Sequence, residues 1–220
     1  MIILFTSFIA WMTYRSHLLL KEIQIDANLL LSLPETILRI LLICFCLFLA
    51  WLSGLSAAEL GLITGNLRQS VALGLGIGVM VQLSVTLVTV KAIKQFGRDI
   101  YSPRLIRNIL PHHPIEWLLV ALAFIPPVAM EELLFRSLWL SAFQAIIPQS
   151  LLVAGTSIIF GFMHQPQGKL GMVGAGIINA LFCILFIWTG ELLVTLVAHY
   201  TVNMLQVITA YLQRDWLENY

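Results

Sequence analysis

Apolar residues arrive in long blocks along this chain, without the short alternations of a water-soluble fold. Mostly apolar runs cover Ile37–Leu55, Ser70–Val90, Ile115–Met130, Leu151–Met163, Leu170–Trp188 and Glu191–Leu212. A spanning helix needs about 20 such residues, because a rise of about 1.5 Å per residue must cross about 30 Å of hydrocarbon. Each block is therefore a candidate membrane helix. Trp139–Ile147 prolongs the third, so Ile115–Ile147 is too long for one pass. Pro126-Pro127 is expected to break or kink it, since proline lacks a backbone donor and clashes with the preceding turn. The N-terminal MIILFTSFIAWMTY is a shorter apolar stretch, with no basic residue before it and no small-residue cleavage pattern after it. It reads as a short span or an interfacial helix, not a signal peptide. The pattern predicts an all-α, polytopic transmembrane bundle of about 7–8 helices, a single membrane domain over residues 1–220.

Composition agrees with the pattern. The chain is 60% hydrophobic and 10% charged, whereas soluble domains carry about 25% charged residues. That excludes a disordered chain and an ordinary cytosolic enzyme. A net charge of +1 points to no polyanionic partner, so nucleic acid is not expected. Cys44, Cys46 and Cys183 lie in apolar runs and read as buried free thiols.

Charge placement suggests an orientation. The segment 91–114 carries Lys91, Lys94, Arg98, Arg104 and Arg107 against a single acid, Asp99. By the positive-inside rule this basic loop is cytoplasmic. Arg15, Lys21 and Arg39 flank an earlier polar stretch, which fits a second cytoplasmic segment if one helical hairpin lies between them. His112-His113-Pro114 reads as a surface cap. Gly74 with Gly78, and Gly171 with Ala175, have the four-residue spacing that lets helix backbones approach closely.

Ionisable groups inside spans are costly, by about 2.5–3.5 kcal/mol each on insertion scales, so each is a functional-site candidate. Between Ile115 and Gln213 these are Glu116, Glu131, Glu132, Arg136, Lys169 and Glu191, with His164 and His199. Glu116 and Lys169 lie near helix ends and can snorkel. In Glu131-Glu132-Leu133-Leu134-Phe135-Arg136, Glu132 and Arg136 stand one helical turn apart and can pair. Glu131 is rotated by about 100° and has no sequence-local cation. A carboxylate in an apolar site is suited to general-base work; a purely structural Glu–Arg pair is the plainer alternative. His164 closes the run Phe160-Gly161-Phe162-Met163 and serves either as an interfacial anchor or in catalysis. His199 and Asn203 share one face of the last span and need partners or a wet cavity. Together these residues supply a base, two imidazoles and an amide for hydrolysis by activated water. No Ser or Cys nucleophile stands beside a base.

At these residues the chain resembles the CPBP family of intramembrane proteases, also called the Abi or type II CAAX prenyl endopeptidase family. Its pattern of EExxxR, FxxxH and HxxxN is matched in order over residues 115–212, the expected catalytic core. The resemblance implies that Glu131 activates water with His164, that His199 and Asn203 stabilise the oxyanion, and that Glu132, Arg136 and Phe160 support the site. It implies a helical bundle around an intramembrane cavity, and hydrolysis of a membrane-embedded or lipid-anchored peptide or protein, prenylated CAAX substrates among them. The family's bacterial members are also linked to bacteriocin immunity. Ser137 departs from the glycine usual after the arginine, and Glu191 replaces a small polar residue. Glu191 lies about 12 Å along the helix from His199, and is expected to line the cavity mouth or sit at the interface.

No cofactor is expected. The alternative is zinc held by Glu131, His164 and His199, although the HExxH spacing of many zinc proteases is absent. Two other classes compete: a non-cleaving membrane adaptor or immunity protein, and a proton-coupled transporter. Against the transporter, the sequence has no inverted repeat. The location expected is a bacterial-type plasma membrane.

Overall fold

The computed structural model describes residues 1–22, 28–214 and 217; the Lys21 side chain lies outside the described residues. Eight helices and no strands occur among the described residues. They are α1 (Ile2–Glu22), α2 (Leu33–Leu52), α3 (Leu67–Phe96), α4 (Arg104–Ile109), α5 (Pro114–Phe143), α6 (Gln149–Met163), α7 (Gly168–Thr189) and α8 (Leu192–Leu212). Helices α2, α3, α5, α7 and α8 are long and apolar enough to cross a bilayer. The protein is an integral membrane protein with an all-α bundle.

Two expectations about the spans are corrected. The block Leu151–Met163 forms a helix of 15 residues, about 22 Å long at 1.5 Å per residue, and falls short of the hydrocarbon thickness. The long third block is one continuous element. It bends through a turn at Phe124, and Pro126 and Pro127 follow in the first turn of the next segment. Proline is tolerated there, because the first N–H groups of a helical segment have no intrahelical acceptor. The Val128 amide bonds Phe124 O at 3.2 Å across this turn.

Side-chain and loop contacts fix which ends of the helices lie together. At one end, Asn28 Nδ2 donates to Ile109 O (3.2 Å), and the Ser102 amide donates to Gln167 O (3.0 Å). At the other, the Leu192 amide donates to Gly61 O (2.8 Å), Ser137 Oγ to Leu60 O (2.7 Å) and Trp139 Nε1 to Thr6 Oγ1 (2.8 Å). The basic loop therefore shares its end with the start of α2 and the α6–α7 turn. Arg39 at that start pairs with Glu35 at 3.6 Å. The opposite end carries exposed Trp51 and Trp188, as an aromatic belt at a bilayer interface would.

Helix α3 explains how a helix so apolar packs at all. Its buried residues are Ser70, Gly74, Gly78 and Gln82, spaced four apart on one stripe, while its leucines and valines largely face outward. In lipid the apolar side gains little from association, so small residues that allow backbone approach form the contact. A Cβ on Gly74 would lie 2.7 Å from Val194 O, and one on Gly78 would lie 2.7 Å from Ala198 O. The register rises together on both helices, so α3 and α8 run parallel. At the second small-residue pair, Ala175 is buried, while the atoms nearest a Cβ on Gly171 belong to Gln167 of its own turn. Helices α6 and α7 instead approach at Gly161, whose Cβ would meet Met172 O at 2.7 Å, and at Gly176, facing Ser157 O at 3.1 Å.

Candidate active site

The acidic pair sits where α5 changes its winding. Ile125–Glu132 is α-helical, and Leu133–Leu140 is a π-helix in which every residue except Trp139 is buried. Such wide turns are rare and often occur at functional sites. Here the π-helix carries Arg136, whose side chain is entirely buried and reaches back to Glu132, Nε to Oε2 at 3.2 Å. The i,i+4 pairing expected from sequence is thus present, with both side chains at 0% exposure.

Helix α8 closes the arrangement. His199 Nδ1 lies 2.8 Å from Glu132 Oε1. A carboxylate can only accept, so Nδ1 donates, and this fixes the ring's orientation. Nε2 then faces Glu131, 3.6 Å from its Oε2. Glu131 is the less enclosed of the two acids, with 20% of its side chain exposed. Its missing local cation is replaced by a histidine 68 positions away in sequence, which spacing on one helix could not show. Thr195, also buried, lies beside Glu132, while its hydroxyl donates to Leu192 O at 3.0 Å.

Phe160 links the two imidazoles. Its ring stacks on His164 at 4.4 Å and stands edge-on to His199 at 6.2 Å, with Phe135 at 5.1 Å on another side. His164 follows the last residue of the short helix α6 and is half-buried. Its Nδ1 lies 2.8 Å from Phe160 O and donates to that carbonyl, leaving Nε2 as an acceptor. Asn203 lies one turn beyond His199 on α8, half-buried, and makes no side-chain hydrogen bond among the described residues. The structure thus gathers Glu131, Glu132, Arg136 and His199 by direct contact. It joins His164 to them through Phe160, and brings Asn203 only onto the His199 face.

No group of three or more His, Cys, Asp and Glu side chains among the described residues is placed to hold a metal ion. A cavity of about 170 Å³ lies at the opposite end of the bundle, lined by Glu59, Ser141, Gln144 and Gln149 with Leu140 and Phe186. It contains none of the motif residues. Glu191 does not face the site: Gly65 N donates to its Oε1 at 3.1 Å and Ser70 Oγ to its Oε2. Its role is to tie the α2–α3 loop to the start of α8.

Residues 113–205 match the family model described as Type II CAAX prenyl endopeptidase Rce1-like. That agrees with the CPBP resemblance of the motifs. The Rce1-like segment runs from the residue before α5 to two residues beyond Asn203 and takes in all three motifs. No curated protein and no solved structure matches the chain. The match supports a CAAX-type intramembrane endopeptidase in general.

Within the Rce1-like segment, sequence reasoning passed over Asn179 and Thr156, both buried in the bundle. Asn179 had a signal: a strongly polar amide in the middle of an apolar run, by the same logic that singled out Asn203. The Ser137 departure also has a local reason, because its hydroxyl holds Leu60 O of the α2–α3 loop.

Proposed function

We propose that the protein is an intramembrane endopeptidase that hydrolyses a peptide bond of a membrane-associated substrate of the prenylated CAAX type, through water activated by Glu131 and His164. The observation that carries this reading is the chain Arg136–Glu132–His199–Glu131, which ends on its most exposed member. Glu132 is committed to Arg136 and to His199 Nδ1. Glu131 is the carboxylate left to accept a proton from water, with the acceptor Nε2 of His164 helping to orient that water. The water oxygen bonds to the scissile carbonyl carbon as Glu131 takes the proton. His199, in its imidazolium form, donates from Nε2, and Asn203 from its amide, to the developing oxyanion. The C–N bond then breaks, and Glu131 returns the proton to the leaving amine.

The reaction proposed is metal-independent; Glu131, His164 and His199 are the set that zinc would use otherwise. The concentration of cations at the basic-loop end supports placing residues 91–114 in the cytoplasm. A bacterial-type plasma membrane suits this reading.

The test compares wild type with Glu131→Gln and His199→Ala in detergent, on a farnesylated CAAX peptide and its unprenylated counterpart. Loss of cleavage by about 100-fold or more, with melting temperatures kept within a few degrees, is the expected result. Full cleavage or full biological function in both folded variants would favour the non-cleaving adaptor. Activity abolished by chelation and restored by zinc alone would replace the metal-independent mechanism.

A further inference from the structure

Among the described residues, five of the eight buried side-chain polar atoms without a hydrogen-bond partner belong to three residues: Glu132 Oε2, Arg136 Nε, Nη1 and Nη2, and Asn179 Oδ1. The Nε–Oε2 contact at 3.2 Å is an ion pair, and the two Nη groups lack even that. A guanidinium has five N–H donors and no acceptor, and a donor buried in a low-dielectric interior is costly to leave unpaired.

Asn179 presents the complementary atom. It is entirely buried in α7. Its Nδ2 contacts Ser157 Oγ at 3.1 Å, Thr156 Oγ1 at 3.4 Å and Cys183 Sγ at 3.5 Å, which anchors the amide nitrogen against α6. That leaves Oδ1 as an acceptor on the other side of the amide. Asn179, Phe182 and Cys183 stand at i, i+3 and i+4 and share one face of α7. The Phe182 ring lies 5.7 Å from the Arg136 guanidinium carbon and 5.7 Å from the His199 ring. Cys183 is within electrostatic reach of both Arg136 and Glu132. The unpartnered acceptor thus stands one helical turn from a ring that touches the unpartnered donor.

We infer that Asn179 is a positioning residue for the site: its side-chain carbonyl accepts from the Arg136 guanidinium through one buried water. Arg136 in turn holds Glu132, and Glu132 fixes His199. The serine and threonine hydroxyls of α6 are the outer end of the same chain. The inference rests on the protease reading only for its kinetic consequence; the contact itself is tested separately.

The experiment uses the full chain in detergent, labelled with ¹⁵N-arginine, with the Arg136 guanidinium resonance assigned through Arg136→Lys. Asn179→Leu keeps the side chain's size and removes the acceptor. It is expected to shift the Arg136 resonance and speed its proton exchange, to lower kcat about tenfold or more with KM within about twofold, and to move the pH profile of kcat. A folded Asn179→Leu protein with an unchanged Arg136 resonance overturns the inference. If Asn179→Leu does not fold, the isosteric Asn179→Asp decides: an anionic oxygen at that position must displace the Arg136 resonance, and an unmoved one overturns the inference equally. A wild-type protein that cleaves no peptide defeats the protease reading, while the resonance still decides the contact.

Discussion

Helices α2 and α5 are both long and apolar, yet they use their residues in opposite ways. In its most apolar window α2 is 17% buried inside the protein, and α5 is 44% buried. Leu41, Phe48 and Trp51 of α2 project outward, where lipid serves as solvent. The middle of α5 is enclosed on all sides, and there it carries two acids and an arginine. Apolar surface decides that both helices enter the bilayer. Polar satisfaction decides which one lies at the centre, because a charge in hydrocarbon must be surrounded by partners that only neighbouring helices supply.

The largest effect should come from breaking that enclosure. Glu132→Leu leaves Arg136 buried without its counter-charge, a change that costs about 3–5 kcal/mol where a buried pair loses one member. Thermal or denaturant unfolding in detergent should show it. On the exposed face of α2, Leu41→Ala should stay within about 0.5 kcal/mol of wild type. Equal losses in the two variants would mean that enclosure of the charges contributes nothing to stability.

This contrast also sets what could be read from sequence. Membrane helices were legible because a long apolar block is a local property. The Glu132–Arg136 pair was legible because one turn of helix separates its members. The partner of Glu131 was not, since His199 meets it only after α5 and α8 pack. Helix α6 was read as a span because its block is mostly apolar, although its 15 residues are too few to cross the hydrocarbon. The partners of Glu191 were hidden for the same reason as that of Glu131: Ser70 and Gly65 belong to a distant part of the chain. The π-winding of α5 has no sequence signal we can name.

A smaller effect distinguishes two kinds of glycine on α3. Gly78→Val should cost about 1–3 kcal/mol as an overpacked contact, because its Cβ would press on Ala198 O and Thr201. Gly76 faces open space, so Gly76→Ala should leave stability unchanged or raise it by up to about 1 kcal/mol. Both are read from unfolding in detergent, and the reverse order would contradict the parallel α3–α8 register. Ser137→Ala removes the donor to buried Leu60 O and should cost about 1–3 kcal/mol, with faster amide exchange in the α2–α3 loop as its local signature.

The smallest effect lies farthest from the site, in that same loop. Glu59 is exposed, and both the Ser56 hydroxyl (2.7 Å) and the Ser56 amide (2.8 Å) donate to its Oε2. These bonds hold its carboxyl below the usual carboxylate value of 4.5, since they favour the charged form. The folded protein therefore binds this proton less readily than the unfolded chain does. The resulting stability is present above pH 4.5 and is lost as the pH falls through the lower folded value. A stability series from pH 7 to pH 3 should show wild type more stable than Glu59→Gln at the upper end, with the two converging at the lower. Because the cap is exposed, the difference is small, and amide exchange at Leu60 to Leu62 should report it more sharply than global unfolding. A gap that is the same at both ends of the series would mean that the Ser56–Glu59 bonds do not depend on the charge.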